Sequence, residues 1–202
     1  MQGLTTTAIA QPDGSYLLNG SKTYITNGWH SDVVIVVAKT NPASGGKDFE
    51  NSGFICLMEQ LPWERLQIAI TAVSSAQAAI DWTIDYVKQR HVFGKTVASF
   101  QNTRFALAEL QTKVQVAQVF VDKCIELVLA DKLDTAAASM AKYWTTDLQC
   151  KVMDECVQLH GGAGYMWDYP ITRAYADARV QRIYGGTNEI MKEVVSQAMG
   201  LG

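Results

Sequence analysis

The sequence predicts an α+β chain that is mostly α, with a partial β-domain over 1–46, a shortened connection over 47–52, and an antiparallel four-helix-type bundle over 53–202. Three observations predict it. The first 40 residues are rich in β-branched and aromatic residues, broken by the turn-forming pairs Asp13-Gly14, Asn19-Gly20 and Asn27-Gly28. Beyond Gly53, apolar residues recur every three or four positions, the period of a helix with one buried face. Two glycine clusters, His160-Gly161-Gly162-Ala163-Gly164-Tyr165 and Tyr184-Gly185-Gly186-Thr187, punctuate the helical part.

Residues 4–10 predict a first strand, 16–18 a second across the Asp13-Gly14 turn, and 22–26 a third stopped by Asn27-Gly28. The run Val33-Val34-Ile35-Val36-Val37-Ala38 has little alternation and predicts a strand buried on both faces. Pro42-Ala43-Ser44-Gly45-Gly46-Lys47 predicts a loop. Leu66, Ala69, Val73, Ala76 and Ile80 then predict a first helix, opened by Glu64 and Arg65 after Pro62 and ending near 86–90. Leu107, Leu110, Val114, Ala117, Val121, Cys124 and Val128 predict the second without interruption. Asp134 is placed to cap a third helix running to Leu159. A shorter helix follows Pro170. Thr187 caps the last, with Glu189 in its first turn and Ile190, Met191, Val194 and Val195 behind it.

Composition narrows the function. A net charge of −3 with no basic stripe argues against nucleic-acid binding. No run approaches the ~18 apolar residues needed to span a bilayer, and no targeting segment is expected at the N-terminus. Cys56, Cys124, Cys150 and Cys156 form no C-x-x-C pair and read as reduced thiols in a cytosol-like or matrix-like compartment. His30, His91 and His160 lie far apart, so no metal site is expected. A di-iron bundle needs Glu-x-x-His pairs, and none occurs.

The residues that invite chemistry surround Tyr184-Gly185-Gly186-Thr187-Asn188-Glu189-Ile190. Two glycines permit a sharp turn with positive φ, and the helix start behind them leaves backbone N–H groups free for a phosphate or a polarised carbonyl. A plain helix-to-helix turn with a glycine stop accounts for the same letters.

Four ordered motifs taken together resemble the acyl-CoA dehydrogenase family. They are Asn19-Gly20-Ser21-Lys22-Thr23-Tyr24-Ile25-Thr26-Asn27-Gly28; Tyr86-x-x-x-Arg90-x-x-Phe93-Gly94-Lys95 with Phe100-Gln101; Gln158-x-His160-Gly161-Gly162-x-Gly164-Tyr165; and the double-glycine motif itself. The wording from Tyr165 to Pro170 and from Tyr184 to Lys192 is most similar to the long-chain branch. The resemblance implies an FAD cofactor, with Tyr24 and Thr26 along the flavin ring and Arg90 on the pyrophosphate. It implies Phe93 and Gln101 at the adenine half, Gln158, Gly161 and Gly162 where the dinucleotide approaches the backbone, and Thr187 and Glu189 on the cofactor side. Because Arg90, Phe93 and Gln101 in this family reach a neighbouring subunit's FAD, it implies a homo-oligomer, dimer or tetramer. An electron-transfer flavoprotein is the implied electron acceptor. Each residue also has a plainer role: Arg90 as a cation at a helix C-terminus, the glycines as C-caps, Tyr24 and Thr26 as ordinary β-formers.

The implied reaction is α,β-dehydrogenation of a fatty acyl-CoA thioester, which needs a carboxylate to take the α-proton and hydrogen bonds to the thioester carbonyl. Most family members carry that base as a Glu directly after the Tyr of the final motif. Here the position is Gly185. The long-chain and isovaleryl-type branches carry it on the helix that opens the bundle, in a Glu-Arg-Leu context matched by Glu64-Arg65-Leu66. Glu64 is therefore the expected base, Gly185 N–H the carbonyl polariser, and Arg65, Tyr184 and Gly186 the substrate contacts. Glu59 and Glu189 are weaker carboxylate candidates. Without the resemblance, Glu64 reads as an acidic first-turn residue facing the helix dipole.

The resemblance implies an N-terminal helical domain and further strands between positions matching Gly46 and Gly53, and on these residues neither is expected here. A non-catalytic oligomerisation or FAD-binding module is the alternative those gaps support. Isovaleryl or another branched-chain acyl-CoA is the alternative substrate.

Overall fold

Three long helices dominate the computed structural model, which describes residues 4–41 and 53–201. They are α1 (Gly53–Gln89), α2 (Gln101–Leu129) and α3 (Thr135–His160); the shorter α4 (Pro170–Ala178) and α5 (Asn188–Ala198) follow. Two compact units, Met1–Glu59 and Gln60–Gly202, divide within α1. The expected connection at 47–52 and loop at 42–47 lie outside the described residues, as do the side chain of Cys56 and residues 1–3.

The helices form where the periodicity places them. On α2, Leu110, Val114, Ala117, Val121 and Cys124 are buried in one stripe. Burying a Val or Leu side chain contributes roughly 1.5–3 kcal/mol, which holds a helix carrying charged residues on its other faces. The Asp134 carboxylate accepts a hydrogen bond from Ala137 N–H at 2.6 Å, capping α3 as its sequence predicts. Leu66, Ala69, Val73 and Ile80 of α1 close the same core with Val152, Met153 and Cys156 of α3.

Cross-helix hydrogen bonds give the directions. Arg65 meets Ser139, Ser75 meets Gln149, and Tyr86 meets the His160 carbonyl, always 74 residues apart. A constant offset means that α1 and α3 run parallel. After His160 the chain doubles back along α3: Cys150 reaches the Ala178 carbonyl, Asp147 pairs with Arg182, and Lys142 reaches Gly186. Falling numbers on α3 meet rising numbers on the return, so the return is antiparallel. The double-glycine turn is thereby delivered to the end of the unit where Glu64 and Arg65 sit.

Pro62 lies inside α1, not at its first turn. With no N–H it leaves the Met58 carbonyl without its helical donor. Glu64 is consequently an interior helix residue, and the reading of it as a first-turn acid does not hold; α1 has no acid in its first turn. Between α1 and α2, β3 (His91–Val92) and β4 (Lys95–Thr96) make a two-residue hairpin, with Phe93 (φ 49°) and Gly94 (φ 78°) at its tip.

In the first unit, β1 (Thr7–Ala10) pairs antiparallel with β2 (Tyr16–Asn19) across the expected Asp13-Gly14 turn. Two expected strands do not form. Tyr24 takes φ 56° and residues 26–30 turn, with Gly28 N–H bonded to the Ile25 carbonyl and His30 N–H to that of Asn27. Residues 33–38 are largely exposed, Val33 and Ile35 at 86%, and Lys39 bridges to the ribbon. Val and Ile favour strands because they pack on a sheet surface, and propensity without a partner strand makes no ladder. Among the described residues, no helix is long and apolar enough to cross a membrane, and no group of three His, Cys, Asp or Glu side chains converges.

Candidate active site

Gly185 (φ 64°) and Gly186 (φ 97°) both occupy the left-handed region that L side chains avoid, and Thr187 ends the turn as the N-cap of α5. Its hydroxyl accepts from Ile190 N–H at 3.4 Å. A Cβ placed on Gly185 would lie 3.7 Å from Glu64 Oε1 and 2.5 Å from Ile68 Cδ1. Glu64 and Ile68 are one helical turn apart on α1, so both reach the hollow that glycine leaves. A Cβ on Gly186 would meet Met191 Cε at 2.6 Å. The Gly185 N–H has no acceptor among the described residues, which leaves it available to a carbonyl oxygen. Glu64 is exposed in the single chain.

Tyr184 is half-buried, and that burial raises its phenol above the usual range. Glu189 is exposed, its carboxyl held below the usual range by its own backbone N–H and then by the Thr187 hydroxyl. Arg65, in contrast, points into the bundle. It is 6% exposed; Nη1 donates to Ser139 Oγ at 3.2 Å, and Nε has no partner among the described residues. Desolvation pulls its pKa down, with Glu64 opposing.

Beneath the turn lies a polar network absent from the sequence reading. Lys142 is 0% exposed; its Nζ donates to the Gly186 carbonyl at 2.7 Å and to Asn188 Oδ1 at 2.9 Å. Asn188 Nδ2 donates in turn to the Tyr143 carbonyl, Thr146 Oγ1 and Asp147 Oδ1. Asp147 pairs with Arg182 at 2.6 Å. The signal was present: Lys142 lies in the same stripe of α3 as Ala138, Ala141, Thr145 and Leu148, all buried. A lysine on a buried face needs a partner to justify it.

The remaining candidates gather at the other end. Arg90 follows α1 directly, Phe93 stands 95% exposed at the hairpin tip, and Gln101 is the exposed first residue of α2. Gln158 is exposed on the last turn of α3, and its carbonyl accepts from Gly161 N–H. Gly161 (φ 60°) needs glycine for its backbone. Gly162 does not, yet a Cβ there would meet nothing within 4 Å. Glycine at 162 is thus unexplained by this chain's own packing, and it suits a surface that something else approaches closely. Gly164 is different, since a Cβ there would strike the Val157 carbonyl. Because α1 and α3 are parallel, this cluster sits at their shared C-terminal end. Residues 64 to 89 of α1 span about 38 Å at 1.5 Å per residue, so the two clusters lie at opposite ends of the helix. Tyr24 and Thr26, in the first unit, are exposed.

The family model for the acyl-CoA dehydrogenase C-terminal domain matches residues 51–200. The long-chain specific acyl-CoA dehydrogenase of Sus scrofa mitochondria is 47% identical over 246 aligned residues, covering 98% of this chain and 57% of that protein. This chain has only 202 residues, so the pig protein carries residues within the matched span that this chain lacks. The crystal structure of an acyl-CoA dehydrogenase from Geobacillus kaustophilus superposes with a TM-score of 0.90 at 36% identity, over 98% of this chain and 64% of that one. Butyryl-CoA dehydrogenase from Megasphaera elsdenii gives 0.87 at 30% identity with the same coverage. The chain thus spans little more than half the length of the pig relative. With three-quarters of its residues under one family model and its fold shared with solved members, this chain belongs to the acyl-CoA dehydrogenase family.

Proposed function

We propose that the chain contributes to FAD-dependent α,β-dehydrogenation of fatty acyl-CoA thioesters of the long-chain type, with Glu64 as the base. The observation that carries the reading is Glu64 Oε1 at the hollow beside Gly185, 3.7 Å from the position a side chain there would begin. An α-proton next to a thioester is a poor acid, so removing it requires a carboxylate within hydrogen-bond reach and a donor for the developing enolate. Glu64 supplies the first. The free Gly185 N–H supplies the second, aided by its place ahead of the α5 N-terminus. Ile68 fills the space beside Gly185 next to the carboxylate. FAD, when bound, takes up the electron pair and hydrogen that leave the β-carbon.

The cluster of Arg90, Phe93, Gln101, Gln158, Gly161 and Gly162 fits the adenine and pyrophosphate half of FAD. It offers an exposed guanidinium fork, an exposed aromatic ring and an open glycine turn. Its separation of about 38 Å along α1 from Glu64 supports a homo-oligomer in which one copy completes another's site. Tyr24 and Thr26 belong to the flavin side of that reading. The electron acceptor is an electron-transfer flavoprotein. The compartment is reducing and matrix-like, consistent with free Cys124, Cys150 and Cys156.

Purified protein tests this directly. A flavin absorbance band that co-purifies and bleaches on adding palmitoyl-CoA is expected. Bleaching by isovaleryl-CoA alone would reassign the substrate. Colourless, stably oligomeric protein that gains no thermal stability from added FAD would leave the non-catalytic module, because a ligand of the native state must raise apparent stability.

A further inference from the structure

We propose that Lys142 is a positioning residue: its ammonium, sealed between α3 and α5, fixes the Gly185–Gly186 turn through the Gly186 carbonyl and sets positive charge beneath the place where the thioester oxygen is held. The catalytic half of this inference rests on the dehydrogenase reading; the clamp itself does not.

The turn needs such a clamp. Gly185 and Gly186 have no side chains to anchor and the widest backbone freedom of any residue. Among the described residues, the Lys142 ammonium is the sole hydrogen-bond partner of either glycine. Its second bond, to Asn188 Oδ1, ties the same ammonium to the first residue of α5. Asn188 is itself held by Tyr143, Thr146 and Asp147 of α3. Turn, helix start and α3 therefore move as one body.

A buried ammonium is a costly way to hold a turn. Charge is disfavoured away from water, and an apolar residue of similar volume often stabilises such a position more. What the lysine adds is the charge. A donor bonded to the Gly186 carbonyl polarises the Gly186–Thr187 peptide, two peptide units on from the one that carries the Gly185 N–H, and a buried positive charge this near the turn acts through a dry interior with little screening. The groups facing Lys142 are Arg65 from α1, Asp147 from α3, Glu189 from α5 and Arg182 from the segment between α4 and α5. Burial is the dominant influence and brings the ammonium down to about 8; Asp147 opposes it, Arg65 adds to it, and Glu189 and Arg182 are weaker. Lys142 is then charged near neutrality and loses its proton within a mildly alkaline range.

Two measurements separate the clamp from the chemistry. In wild-type protein labelled with ¹³C and ¹⁵N, the Lys142 Nζ and Gly186 carbonyl resonances should titrate together with a midpoint near 8. A Gly186 carbonyl that stays flat while Lys142 titrates, at whatever pH that occurs, overturns the clamp. In palmitoyl-CoA turnover assays, with an added electron-accepting dye to reoxidise the flavin, wild-type kcat should fall as pH rises through 8. Lys142→Met should lose about tenfold in kcat with KM unchanged and lose that alkaline limb. Lys142→Arg should retain most of the rate and carry no alkaline limb, since a guanidinium does not titrate there. An alkaline limb that persists in Lys142→Met, or a change in KM alone, overturns the positioning role. Wild-type protein that never bleaches refutes the dehydrogenase reading, while the resonance titration still decides the clamp.

Discussion

The Glu64 carboxylate and the Gly185 backbone meet because α1 and α3 run parallel while the chain after His160 returns antiparallel along α3. Their approach is a property of helix directions, not of local sequence. Replacing the carboxylate tests its role without disturbing that arrangement. Glu64→Gln keeps size and shape, so the fold and its melting temperature should not change. Acyl-CoA-dependent flavin bleaching should slow by roughly 10²–10⁴-fold, the usual contribution of a positioned base. A Glu64→Gln protein that bleaches at the wild-type rate would show that another group takes the proton.

Gly185→Ala should destabilise the chain by about 2 kcal/mol. The new Cβ collides with Ile68 Cδ1 at 2.5 Å, and φ 64° is unfavourable for any L side chain. Adding Ile68→Val removes the collision but not the backbone cost. Urea midpoints of the two single variants and the double should therefore show partial recovery. Simple additivity would mean that Ile68 does not occupy the hollow.

If the two clusters serve different copies, damaged chains should complement each other. Glu64→Gln loses the base at one end, and Arg90→Ala loses the guanidinium at the other. Each alone should fail to bleach. Co-refolded mixtures should regain activity, because some sites then combine an intact Glu64 with an intact Arg90. Mixtures as inactive as their components would place both clusters in one site or show that copies do not associate.

Cys156 is fully buried, and burial pushes its thiol up to about 11, with the nearby Thr83 hydroxyl opposing it. An unfolded chain ionises this thiol near 9, so between 9 and 11 the fold retains a proton that the unfolded chain has lost. The contribution to stability is complete below 9 and declines as pH rises to 11, by about 3 kcal/mol in all. Lys142 acts oppositely from about 8 upward, since the fold sheds its proton first. Comparing urea midpoints of wild type and Cys156→Ala across that range isolates the cysteine: the difference between them should shrink steadily above 9. A constant difference would mean that the thiol titrates normally in the fold.

The helices were legible because their causes are local. The stripe on α2, the Asp134 cap and the Thr187 cap each lie within a turn or two of chain. The β-rich segment was read less well. Residues 33–38 have strong strand propensity, yet they are largely exposed and form no ladder among the described residues, since a strand is completed only by a neighbour. The start of α1 lies earlier than Pro62 implies, because a proline that reads as a first-turn signal in the sequence sits inside a helix that begins at Gly53.

By itself the sequence determined which segments are helical, where two of them are capped, that the late turn has two positive-φ glycines, and that the motifs belong to one family. Those features are written in residue spacing and backbone permissiveness, which need no distant partner. Only the tertiary structure decided that Glu64 reaches the hollow at Gly185, that Arg65 turns inward, that Arg90 lies at the far end, and that Lys142 is buried under the turn. Each of these depends on the parallel course of α1 and α3 and the antiparallel return. Short connections already predict the alternating helix directions, but which side chains meet across long sequence separations is decided only when the helices pack.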